Sequence, residues 1–152
     1  MIDPLEILQQ GIEILNPILL RNGFTYVPGK SGPSSGGSYA YGAYSRGERR
    51  LELLFRHILG LVTYHIGPDS LRHEVFMRSL LGRDGGNRYP GFSDDPLDGF
   101  RDLRHDLEIY GKDFLSGNGN IFRNCALEAR AAKRLRPIER IEQGWPDSIE
   151  ET

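Results

Sequence analysis

Between Leu51 and Leu81 the chain is at its most apolar, and the spacing of its apolar residues changes twice. Leu51, Leu53 and Phe55 alternate with Glu52, Leu54 and Arg56, the period of a strand with one buried face. Leu61-Val62-Thr63-Tyr64 is rich in β-branched and aromatic residues and predicts a second strand. One strand over 50–66 would be about 55 Å long at roughly 3.3 Å per residue, so a turn is expected between them, placed at Gly60. Gly67-Pro68 ends that hairpin, and a helix follows with Asp69 or Ser70 as N-cap, His73, Phe76, Met77 and Leu80 on one face, and Gly82 just past its end.

The flanks follow the same two periods. Asp3-Pro4 predicts a helix start, and Leu5, Leu8, Ile12, Leu15 and Leu19 form its stripe. Pro17 is expected to kink or split that helix, which closes at Asn22-Gly23. Phe24–Val27 and Ser38–Ser45 read as strands joined by the Gly/Ser/Pro-rich loop 28–37, and 46–49 as a tight turn. After a second loop at 83–94, Asp95-Pro96 opens a helix to residue 116, and another runs from about 120 to 135. The reading is α+β: an N-terminal helix, an antiparallel sheet of three to four strands (about 24–66), then three helices packed on one face. Residues 1–146 form a single domain and 147–152 a loose acidic tail.

Composition narrows the function classes without selecting one. At 152 residues and net charge −2, the chain has no general affinity for nucleic acid or anionic membrane. No stretch is long and apolar enough for a membrane helix, and the N-terminus lacks the basic-then-apolar pattern of a signal peptide. The single cysteine, Cys125, suits a reducing compartment and reads as buried, so a cytoplasmic location is expected.

Most catalytic patterns fail on spacing. Gly29-Lys30-Ser31 lacks the upstream glycine and following helix of a phosphate loop, and His73-Glu74 meets Met77 where a zinc helix needs histidine. No nucleophile–base pair, metal set or cofactor motif survives. Tyr39, Tyr41 and Tyr44 with Arg46, Arg49 and Arg50 could stack bases and hold phosphates, yet no nucleic-acid module signature accompanies them. If Ser38–Ser45 is an edge strand, it could pair with its own copy in a homodimer.

One feature departs from a plain solvated surface. On the helix over 95–116, with Phe100 as origin and about 100° per residue, the apolar residues Leu97, Leu103, Leu107, Tyr110 and Phe114 cluster around Phe100. Asp95, Asp98, Asp102, Asp106 and Asp113 fall within about 60° of the opposite pole. Like charges at i,i+4 oppose helix formation by about 0.2–0.5 kcal/mol per pair. The stripe therefore predicts a docking face for a basic protein partner, as in an inhibitor or immunity-type binding protein. The alternative is an enzyme or small-ligand binder whose pocket is lined by Arg56, His57, His65 and His73.

Overall fold

The computed structural model describes residues 3–33 and 38–142, with side chains to residue 133. Its order is α1 (Pro4–Arg21), β1 (Thr25–Gly32), β2 (Tyr39–Arg46), β3 (Arg49–Phe55), β4 (Leu59–Ile66), β5 (Asp69–Arg72), α2 (His73–Leu81), α3 (Asp98–Tyr110), α4 (Lys112–Leu115) and α5 (Asn120–Glu142). The fold is the expected α+β arrangement, with five strands where the pattern suggested three to four. The strands form an antiparallel meander in sequence order, β1-β2-β3-β4-β5. The acidic tail expected at 147–152 lies outside the described residues.

The N-terminal helix begins as its capping signal requires. The Asp3 carboxylate accepts from the Leu5 amide at 3.0 Å, and Leu8, Ile12, Leu15, Ile18 and Leu19 are buried along one stripe. Pro17 does not split α1, which is continuous over 18 residues. Leu15, Ile18 and Leu19 are buried on both sides of the proline, so the apolar stripe runs on across it.

The hairpin alternates as read, with Leu51, Leu53 and Phe55 buried, but its turn lies at Arg56–Ile58. Gly60 sits inside β4, between Leu59, which pairs with Phe55, and Leu61, which pairs with Leu54. It is the extra residue of a bulge, a second use of a glycine that local sequence does not distinguish from a turn. Asp69 and Ser70 do not cap α2. Gly67, at φ +56°, turns the chain so that Asp69–Arg72 adds a fifth strand against β4, and α2 starts at His73. Gly82, at φ +75°, ends α2 as expected.

Inward strand positions meet the helices and build the core. The Tyr44 hydroxyl donates to Asn16 Oδ1 at 2.7 Å and lies 3.2 Å from the Ile12 carbonyl. Phe55 stacks on Phe100 at 6.0 Å, and Tyr64 meets Phe76 and Phe114 edge-on at 5.2 and 4.9 Å. Arg46 and Arg49, a cross-strand pair, also point inward. Arg46 donates to the Asn22 and Leu115 carbonyls and lies 5.1 Å from the Phe24 ring centroid. Arg49 donates to the carbonyls of Asp113, Phe114 and Gly117. These two cations bind exposed carbonyl ends of α1 and α4 to the sheet.

The strand proposed for self-pairing is not an edge: β2 is hydrogen-bonded to β1 and β3 on its two sides. The true edges are β1, interrupted by Pro28 and a register shift before Ser31, and the four-residue β5, where Arg130 of α5 binds Asp69 at 2.9 Å. Proline, a bulge and a short charged strand are the usual devices against edge pairing.

Candidate functional site

The five aspartates of the proposed docking face do not share one environment. α3 ends at Tyr110, where Gly111 caps it, so the helical phase that placed Asp113 on the stripe stops before it. Asp113 lies on α4, and its carboxylate accepts from the Phe122 amide at 2.9 Å, capping the first turn of α5.

Asp106 is fully buried. Its carboxylate accepts from His73 Nε2 at 2.9 Å, the amides of Arg88 and Tyr89 at 2.7 and 2.8 Å, and His105 Nδ1 at 2.9 Å. Burial pushes this carboxyl up, but the donors from His73, Arg88, Tyr89 and His105 outweigh it and hold the group below the usual aspartate range. Beyond His73 the chain of contacts ends at Tyr64, whose hydroxyl lies 2.7 Å from Nδ1. Burial, reinforced by the Asp106 charge, raises that phenol well above its ordinary value. It therefore stays protonated and donates to Nδ1, leaving Nε2–H for Asp106. The helical wheel missed this because α3 has more than one neighbour. Its apolar arc faces α1 and the sheet, whereas His73 at the start of α2 and the amides of residues 88 and 89 reach the flank of Leu103 on which Asp106 lies.

Asp95, Asp98 and Asp102 remain on the surface. Asp95 accepts from the Leu97 amide at 2.9 Å and pairs with Arg101 at 3.0 Å. Asp98 also pairs with Arg101 and accepts from the Ser93 hydroxyl at 2.6 Å. The Ser93 bond and the Arg101 charge hold Asp98 below the usual carboxylate range. Asp102 is half-buried and has no hydrogen-bond or ion-pair partner among the described residues. Burial first, then the charges of Asp98 and Asp106, raise its carboxyl.

A residue that the charge pattern did not reveal completes this surface. Phe92 projects from the loop before α3 with its side chain fully exposed, at 108 % of the reference area. Its neighbours are held: Ser93 by Asp98, and Gly91 so close to Asp102 that a Cβ there would lie 3.0 Å from a carboxylate oxygen. Upstream, the Tyr89 ring is buried and its hydroxyl donates to the Leu59 carbonyl. The sequence signal was a bulky apolar residue in the polar run Pro90-Gly-Phe-Ser-Asp-Asp95, a place where a plain loop has no use for one. Ile109, two helical turns from Asp102, is a second exposed apolar side chain on α3.

No protein-family model, curated protein or solved structure matches the chain.

The residues of the alternative pocket do not converge. Arg56 and His57 lie in the β3–β4 turn, whereas His65 pairs with Arg50 at the far end of that hairpin, about 20 Å along the strand. His73 is in the core, so the four line no common cavity. His65 instead joins Tyr41, Arg50 and Glu52 on the outer sheet face, where Glu52 bonds all three. The tyrosine–arginine strip is divided in the same way, because Tyr41 faces outward while Tyr44, Arg46 and Arg49 face the core. Among the described residues, no three His, Cys, Asp or Glu side chains converge as a metal site, and no helix is long and apolar enough to cross a membrane. Cys125 is buried and unpaired, and burial raises its thiol.

Proposed function

We propose that the chain is a binding module whose contact surface is the N-terminal half of α3 with the loop before it, and that it selects a partner presenting cations. The observation that carries this reading is Asp102, a carboxylate with no hydrogen bond or ion pair among the described residues, while its three neighbours Asp95, Asp98 and Asp106 are all engaged; the Arg88 and His105 charges offset the rise of its carboxyl only in part. Holding it ionised beside Asp98 and Asp106 opposes folding slightly, which an incoming lysine or arginine would reverse. The stripe is thus narrower than its sequence suggests, at Asp95, Asp98 and Asp102 with exposed Asp94. An inhibitor or immunity-type protein that covers a basic toxin or nuclease surface is the concrete form this takes. The saturated Tyr41–Arg50–Glu52–His65 cluster offers a ligand fewer free groups.

A photoreactive amino acid at Asp94 tests the reading in cells that express the protein. Cross-linking to one protein, abolished when Asp98 and Asp102 are both changed to lysine and retained when Glu13 on α1 is, is the expected result. Adducts that are indifferent to the double change would overturn it.

A further inference from the structure

The cationic counterpart of this surface is present on the chain itself. An open groove of about 360 Å³ lies between the end of α1 and the region where α3 passes into α4. Ile18, Leu107 and Leu115 form its floor, and Arg21 and Lys112 stand on its walls beside Glu108. Glu108 is engaged by Arg104 at 2.7 Å. Neither the Arg21 nor the Lys112 side chain has a hydrogen-bond or ion-pair partner among the described residues. The groove and the Phe92 loop lie at opposite ends of α3, about 15 Å apart along its axis at 1.5 Å per residue, so one molecule cannot close the contact on itself.

We propose that Phe92 of one molecule enters the Arg21–Lys112 groove of a second copy, with Asp98 and Asp102 facing the two cations. This rests on the reading of the α3 surface as cation-seeking and names its partner as this same chain. The ring supplies an electron-rich face to guanidinium and ammonium groups, and the aliphatic stems of Arg21 and Lys112 supply apolar area around it. Asp102 gains the direct ion pair it lacks among the described residues. The contact joins two different surfaces, so each molecule can donate a phenylalanine to one neighbour and receive one from another, which gives rings or open chains. The braced loop limits the ordering needed on association.

Sedimentation velocity on three proteins tests this: the unaltered chain, Phe92→Ala, and the Arg21→Glu/Lys112→Glu double variant. The unaltered chain should associate with rising concentration, and less so in high salt. Each variant should weaken that association at least about 30-fold, the mark of a dominant interface residue. An equimolar mixture of the two variants is decisive, because one retains the groove and the other the phenylalanine. It should form a 1:1 dimer and nothing larger. Monomers at millimolar concentration, association indifferent to Phe92, or a mixture that fails to pair would overturn the proposal. Should the chain stay monomeric while the Asp94 cross-link still captures a different protein, only the self-association falls and the binding-module reading stands.

Discussion

Replacing Asp106 with alanine tests the buried network most directly. The carboxylate satisfies four donors, of which His73 Nε2 and the Tyr89 amide are buried. The Arg88 amide is partly buried and His105 can turn its Nδ1–H to water. Each buried donor left unpaired costs about 1–3 kcal/mol, so the two together give about 2–6 kcal/mol. Breaking a buried hydrogen-bonded charge from one side costs about 3–5 kcal/mol in other folds, and the two routes agree near 4 kcal/mol. For a chain of this size that lowers the melting midpoint by about 8–16 °C. Asp106→Asn should destabilise as well, because it keeps the volume and one acceptor oxygen but its NH₂ group faces a backbone donor whichever way it turns, the Arg88 amide in place of Oδ1 or the Tyr89 amide and His73 in place of Oδ2. The acid limb adds a second check. The folded carboxyl titrates below its unfolded value, so its contribution is complete above about pH 3.9 and is lost as pH falls through the lower folded value. The gap between the unaltered protein and Asp106→Ala should therefore narrow below pH 4 and stay constant above it. Urea unfolding from pH 2.5 to 7 measures both, and a loss under about 1 kcal/mol at pH 7 would show that the network does not hold the fold.

Three further outcomes are expected. Gly11→Ala places a Cβ 2.4 Å from the Phe100 ring, where α1 crosses α3; overpacking of about 1–3 kcal/mol, eased by about 1 kcal/mol of helix propensity, should leave a net loss in chemical denaturation, partly restored by Phe100→Leu. Arg49→Met removes three carbonyl bonds of the α4 region and should cost about 3 kcal/mol, with Arg49→Lys costing less because an ammonium cannot span all three; their unfolding midpoints decide the order. Asp102→Asn should raise the melting temperature slightly at pH 7, since a carboxyl raised by folding opposes the native state while ionised; the gain should vanish as pH falls through that raised value, and thermal scans across pH 3.5–7 read it.

Where local rules act alone, the sequence was readable. The Asp3-Pro4 cap, the Leu51–Leu53–Phe55 alternation and the Gly82 stop all follow from backbone chemistry within a few residues. Errors fell where a residue serves a distant neighbour. Gly60 supplied the freedom a turn needs but is used for a bulge, and Asp69, a fitting helix cap, is drawn into a strand by the Gly67 turn. Asp106 lies on the polar side of its own helix and inside the molecule. One clue was present: His73 shares a face with Phe76 and Met77, and a histidine on a buried face needs a polar partner that an apolar helix face does not provide. An acid beside the apolar arc of another helix was the natural candidate.

The inward and outward aspartates of α3 are one arrangement. Asp106 fixes the amides of residues 88 and 89, and the buried Tyr89 ring follows from that, so the chain enters the Phe92 segment from a fixed point. Asp98 holds Ser93 on the other side, and only three residues, Pro90 to Phe92, span the interval. A phenyl ring so fully exposed would otherwise fold back onto the nearest apolar surface, because water favours its burial. Both tethers come from carboxylates at i,i−8 on a single helix, which is rigid over that length. Loosening the inner one should therefore be felt at the surface: in Asp106→Asn the Phe92 loop keeps its sequence and charges yet loses its fixed entry. Whatever contact Phe92 makes should then weaken even where the variant remains folded, and faster amide exchange at Arg88 and Tyr89 would accompany it. Unchanged exchange there together with weakened contact would break the link drawn between the core network and the surface.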